Sequence, residues 1–277
     1  MKLLTTFSPP GAGLAVCPNG DVFVTREGPN EVWRIPKGGG EAARYVATPG
    51  TVPAGIVCDE KNRLFVSMFA LRDSTTYKSL SVLLIADAQT PPVQLPAPKT
   101  GETTATPNGL ALGPKSILYM TDTVGGVIYR IREVMPGTFE TTSVVKDLTG
   151  PIAAAYDPAA KKLHVALATG MRVVTFKVAD DGALSEQTTL ATVEPGLLSG
   201  IALDEKGTVY VSEQLTGNVL RVPGSEAVAT AMRPAGLAFR GGKLWFTEFF
   251  EAESNMSGGL YEIALGVCGA DVLKARR

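Results

Sequence analysis

Three carboxylates end short apolar runs at matching places in this chain: Asp122 in LYMTD (Leu118 to Asp122), Glu213 in VYVSE (Val209 to Glu213) and Glu248 in LWFTE (Leu244 to Glu248). A carboxyl group in an apolar setting holds its proton more tightly than in water, which makes it a candidate general acid or base near neutral pH. Glu248, flanked by Phe249 and Phe250, has the most apolar setting of the three. Asn108, just ahead of Gly109 in PNGLA, adds an amide that could polarise a substrate carbonyl. The competing role for the carboxylates, each of which follows Thr or Ser, is to accept hydrogen bonds from loop amides. His164, the single histidine, stands where the matching runs carry Phe23, Phe65, Tyr119, Tyr210 and Trp245. That is a packing slot, and it argues against a Ser-His-Asp triad.

These runs belong to a repeat. A small residue and Gly followed by apolar residues recur as AGLAV, AGIVC, NGLAL, SGIAL and AGLAF, with IAAAY as a variant lacking the Gly. From Gly13 through Gly55, Gly109, Ala153 and Gly200 to Gly236 the spacings are 42, 54, 44, 47 and 36 residues. Periods of this size belong to solenoids, propellers and arrays. Each phrase is followed by a turn and a second run, VFVTR, LFVSM, LYMTD, LHVAL, VYVSE or LWFTE, and then by a third, such as EVWRI or NVLRV. The runs are short and rich in β-branched and aromatic residues, so they read as strands joined by hairpins.

A weaker fourth strand fits Ala42 to Thr48, Val93 to Pro96, Thr141 to Asp147, Gln187 to Thr192 and Ala227 to Met232. The expected fold is therefore all-β: a six-bladed β-propeller with four-stranded blades, spanning residues 1–277 as one domain. The sixth repeat lacks an outer strand, whereas Lys2 to Phe7 is a strand without an inner partner. The N-terminal strand should complete blade six and leave residues 266–277 as a tail.

In such a ring the inner strands start at one mouth of the central tunnel, and the second strands end there. The inner ring is Ala12, Ala54, Asn108, Ile152, Ser199 and Ala235; the outer ring is Arg26, Met68, Asp122, Leu167, Glu213 and Glu248, with Glu27, Phe69, Phe249 and Phe250 beside it. The expected substrate contacts are Ala12, Arg26, Ala54, Met68, Phe69, Ile152, Leu167, Ser199, Ala235, Phe249 and Phe250, and the expected catalytic groups are Glu248, Asn108, Asp122 and Glu213. Long loops at Leu71 to Ser79 and Glu251 to Ser257 would extend this face.

PNGLA (Pro107 to Ala111), the following LYMTD with VIYRI (Val127 to Ile131), and SGIALDEKGTVYVSEQLTGNVLRV (Ser199 to Val222) together resemble the gluconolactonase and senescence-marker-protein (regucalcin-like) family of six-bladed propellers. The resemblance covers essentially the whole chain. It implies a lactonase or esterase holding calcium or another divalent ion on a Glu, two Asn and an Asp at inner-strand starts. Those places are Ala12, Asn108, Ile152 and Ser199 here, and Asn108 alone matches. The expectation is therefore no cofactor, with calcium as the alternative.

The balance of 26 Lys+Arg against 27 Asp+Glu gives a net charge of -1 and no basic field for nucleic acid. No apolar stretch approaches membrane-spanning length, and the first residues lack the apolar core of a signal peptide. Three cysteines, Cys17, Cys58 and Cys268, form no even framework, so the expectation is a reduced, cytoplasmic monomer with core thiols. An inner ring of mainly Ala and Ile suits a small apolar organic substrate. The leading functional reading is a metal-independent enzyme of the cyclase or pericyclase type, in which proximity does much of the catalysis. The alternatives are a divalent-metal lactonase or esterase and a binding propeller without catalysis.

Overall fold

The computed structural model describes residues 1–8, 10–37, 40–70, 81–98, 106–252, 255–267 and 269; for 69, 70, 81, 249–252, 255 and 256 it describes the backbone alone. Six antiparallel four-stranded sheets form the ring of a six-bladed β-propeller. Blade one is β2 (Gly11–Val16), β3 (Val22–Arg26), β4 (Glu31–Ile35) and β5 (Ala43–Ala47). Blade two is β6 (Thr51–Cys58), β7 (Leu64–Ala70), β8 (Ser81–Ile85) and β9 (Val93–Gln94). Blade three is β10 (Pro107–Leu112), β11 (Leu118–Asp122), β12 (Val127–Met135) and β13 (Thr138–Val145). Blade four is β14 (Pro151–Asp157), β15 (Lys162–Leu167), β16 (Arg172–Val178) and β17 (Leu184–Thr192). Blade five is β18 (Leu198–Leu203), β19 (Val209–Glu213), β20 (Asn218–Val222) and β21 (Glu226–Thr230).

Blade six consists of β22 (Pro234–Arg240), β23 (Lys243–Ala252), β24 (Asn255–Ala264) and, at its outer edge, β1 (Lys2–Phe7). The pairing runs from Lys2 opposite Glu262 to Phe7 opposite Gly258, so the N-terminal strand closes the ring as the orphan-strand argument expects. The fourth strand of blade two is only two residues long. Pro91, Pro92 and Pro96 flank it, and proline cannot donate to a ladder. The loop expected at Leu71 to Ser79 lies outside the described residues, apart from its flanking strands. The one at Glu251 to Ser257 instead continues the β23–β24 ladder as far as Ala252 opposite Asn255.

Second strands such as β3, β11 and β19 are buried at every position. Both faces of these strands pack on neighbouring blades, which is why they read as unbroken apolar runs rather than as alternating ones. One cluster joins Tyr119 and Ile128 of blade three to Leu163, Val165 and Val174 of blade four.

Hydroxyls in the second strands link the inner strands. Thr25 accepts from the Gly13 amide at 2.7 Å and donates to the Ala54 carbonyl of the next blade at 2.6 Å. Ser67 bridges Gly55 and Asn108, Thr121 bridges Gly109 and Ile152, Ser212 bridges Gly200 and Ala235, and Thr247 closes the ring between Gly236 and Ala12. This packing also explains the repeat glycines. A Cβ at Gly13 would lie 2.2 Å from the Ala54 carbonyl oxygen, and one at Gly200 would lie 2.1 Å from that of Ala235.

Cys17 and Cys58 form a disulfide between the ends of β2 and β6. This corrects the expectation of two reduced core thiols. Equivalent ends of adjacent inner strands bring the two Cα atoms to 5.2 Å, a proximity that a separation of 41 residues conceals. Cys268 lies outside the described residues. Gly269 of the tail bridges to Asp204, and among the described residues no helix is long and apolar enough to cross a membrane.

Candidate functional site

A cavity of about 560 Å³ opens at the mouth where the inner strands begin. That is the size range of small-molecule sites. The six inner-ring residues, Ala12, Ala54, Asn108, Ile152, Ser199 and Ala235, all line it. Each lies within a register shift between the first and second strands of its blade, as between Pro107 and Leu110.

The outer ring is placed differently. Arg26, Met68, Asp122, Leu167, Glu213 and Glu248 are all buried, and none borders the cavity. The residue one step further along the chain reaches the mouth instead: Glu27, Thr123, Ala168 and Gln214 line it. Successive side chains along extended backbone point in opposite directions, so a shift of one position exchanges inside for outside. The side chains of Phe69, Phe249 and Phe250 lie outside the described residues.

The buried carboxylates bind backbone. Asp122 accepts from the Thr106 amide at 2.8 Å and the Gly125 amide at 2.9 Å. Glu213 accepts from the amides of Leu197, Leu215 and Thr216 at 3.0, 2.6 and 2.8 Å. Burial alone would raise its pKa, but the bonds from Thr216, Leu197 and Leu215 hold the Glu213 carboxyl below the ordinary glutamate range. Glu248 accepts from the Met232 amide at 2.5 Å. Burial, a hydrogen bond to Glu248 and the Glu248 charge push the Tyr261 phenol up to about 12.

Arg26 fills the same slot in blade one. It donates to the Ser8 carbonyl, stands 4.5 Å over the Trp33 ring and 5.8 Å over Phe7, and pairs with Glu31 at 3.8 Å. Its task is to fasten the closing segment to blade one. His164 is buried with Nδ1 2.9 Å from Thr175 Oγ1, and burial pulls its pKa down to about 4. The ring is therefore neutral in the core, consistent with its packing slot.

Among the described residues lining the cavity, Glu27 is the only carboxylate. It is half-buried, and desolvation raises its pKa above the ordinary value. The same cavity is lined elsewhere by the polar residues Asn108, Ser199, Gln214 and Arg233. The sequence placed Glu27 beside the outer ring without a catalytic or binding role and did not single out Gln214, although their place immediately after Arg26 and Glu213 is a usable signal. Nothing in the repeat marks Arg233, which precedes blade six in a left-handed backbone conformation, φ 55°.

The divalent-ion set implied by the family resemblance does not fit these residues. Ala12 and Ile152 carry no donor atom, Asn108 and Ser199 offer neutral oxygens, and Glu27 adds one carboxylate at the rim. Among the described residues no three His, Cys, Asp or Glu side chains cluster as ligands. A hard cation requires a fuller oxygen shell with more negative charge.

A scan against protein-family models finds no match, and neither does a search of curated proteins. Among solved structures, a gluconolactonase from Xanthomonas campestris aligns with a TM-score of 0.73 at 17% identity, covering 94% of this chain and 89% of its own. A calcium-binding regucalcin from Agrobacterium tumefaciens aligns with a TM-score of 0.72 at 15% identity, covering 97% and 94%. A luciferin-regenerating enzyme gives 0.71 at 14% identity, covering 97% and 99%. Likeness at these identities establishes the six-bladed fold, and function has to be argued from the site.

Proposed function

We propose that the chain is an enzyme acting on a small lactone or ester with an apolar body, using Glu27 as a general base without a divalent ion. The observation that carries this reading is the half-buried carboxylate with a raised pKa, the one acid among the described residues of a cavity whose other lining groups, Arg233 apart, are apolar or neutral polar. The fold shared with a gluconolactonase supports the substrate class.

In this mechanism Glu27 takes a proton from a water molecule as that water attacks the substrate carbonyl carbon. The carbonyl π bond opens, and the Asn108 amide donates to the oxygen as it becomes negative. The tetrahedral intermediate then reforms the carbonyl and breaks the bond to the ring or ester oxygen, which receives the proton held by Glu27. The products are a hydroxy acid, or an acid and an alcohol, and Glu27 returns to its ionised form.

A second reading, cyclisation of a flexible apolar substrate by confinement, is favoured by the small apolar side chains of Ala12, Ala54, Ile152 and Ala235 around the mouth. Turnover of a panel of aliphatic and aryl lactones and esters, with and without chelator, tests the hydrolase. Chelator-resistant hydrolysis lost in Glu27→Gln supports it. Chelator-sensitive hydrolysis, or hydrolysis indifferent to Glu27→Gln, overturns it. Activity indifferent to both Glu27→Gln and Asn108→Ala, but abolished by Ala12→Trp, would favour confinement.

A further inference from the structure

The tunnel carries a second cavity, of about 530 Å³, at the opposite mouth where the inner strands end. Six side chains border both cavities: Leu14, Ile56, Leu110, Ala154, Ile201 and Leu237. There is one per blade, each directly after the repeat Gly or Ala153, so together they form an apolar waist between two separate chambers.

Beyond the waist the walls are formed by side chains such as Val57, Leu112 and Phe239 and by the Cys17–Cys58 disulfide, which ties blades one and two together at this mouth. Among the described residues lining this chamber, Arg240 is the only charged one. Its place in the repeat makes the charge informative. Four residues after the repeat Gly or Ala153, blades two, four and five carry Asp59, Asp157 and Asp204, which close their turns by accepting backbone amides. None of the three borders the chamber. In blade six the same place holds Arg240, with the opposite charge and a position on the wall. The Lys37 carbonyl accepts from it at 2.6 Å, and the Trp245 ring lies 4.9 Å below its guanidinium. These contacts orient the side chain while occupying only part of its five-donor fork.

We infer that this chamber is a second ligand site, for a small molecule with an apolar body and one anionic group that pairs with Arg240. The chemistry differs from that of the first chamber, where the group of interest is a carboxylate.

The test is fluorescence titration of the full chain with 1-anilinonaphthalene-8-sulfonate, an apolar anion, alongside its neutral counterpart N-phenyl-1-naphthylamine. The sulfonate should occupy a saturable site that weakens about tenfold in Arg240→Gln, the loss of one charge-assisted hydrogen bond. Pro18→Trp, on the exposed rim of the same chamber, should block that site, whereas Ala12→Trp at the other mouth should leave it. The neutral compound should be indifferent to Arg240→Gln. Should Arg240→Gln fail to fold, Pro18→Trp decides. Absence of saturable sulfonate binding, binding lost only in Ala12→Trp, or binding unchanged in both Arg240→Gln and Pro18→Trp overturns the inference.

Discussion

Ala153 and Ala166 stand directly opposite each other across β14 and β15, in the place where the other five blades set a glycine beside a Ser or Thr hydroxyl. The two departures from the repeat are one event. A hydroxyl at 166 would need the space and the amide geometry that a glycine at 153 provides. Ala166→Thr alone should destabilise the fold, and adding Ala153→Gly should recover stability, with a coupling of about 1 kcal/mol in a double-mutant cycle read by denaturant unfolding. Simple additivity of the two changes would show that the pair is unrelated.

Glu27→Gln should lower kcat about a hundredfold, as expected for loss of a general base. The acid limb of kcat/KM in the unaltered enzyme should lie above 4.5, the ordinary glutamate value, because burial raises the Glu27 pKa. The sign for stability is opposite. A carboxyl whose folded pKa is raised binds protons more tightly when folded, so stability falls as pH rises through that interval. Glu27→Gln should therefore melt higher at neutral pH while turning over more slowly.

Glu213→Gln should act on stability and not on turnover, since its carboxylate serves three backbone amides away from the cavity. Losing those charge-assisted bonds should cost about 2 kcal/mol at neutral pH. The folded pKa is depressed, so the contribution is fully present above 4.5 and is lost as pH falls through the folded value. Melting curves of the two proteins should converge at acid pH. A difference that persists there, or a fall in kcat at neutral pH without a fall in stability, would contradict this role.

Replacing Cys17 or Cys58 with Ala should lower stability by about 4 kcal/mol, the chain-entropy value for a closed loop of this length. Addition of a reductant should shift the unaltered protein toward the variants and leave the variants themselves unchanged. A melting temperature indifferent to reductant would refute the cross-link.

The repeat alone determined the blade count, the closing role of Lys2 to Phe7 and the inner ring around Asn108 and Ser199. These depend on strand period and on glycine spacing, which are local and recur six times, so that each copy checks the others. The direction of the second-strand ends was decided only by tertiary packing. Asp122, Glu213 and Glu248 turn into the blades to meet loop amides, and Thr123 and Gln214, the residues after the first two, take the mouth. Polar tags look the same in the sequence whether they face solvent or orphaned backbone donors, and a single step along extended chain reverses the outcome. The disulfide likewise required tertiary packing, because only the docking of blade two beside blade one brings Cys58 to Cys17. The raised pKa of Glu27 comes from burial in the folded chain, which the sequence around Glu27 does not display.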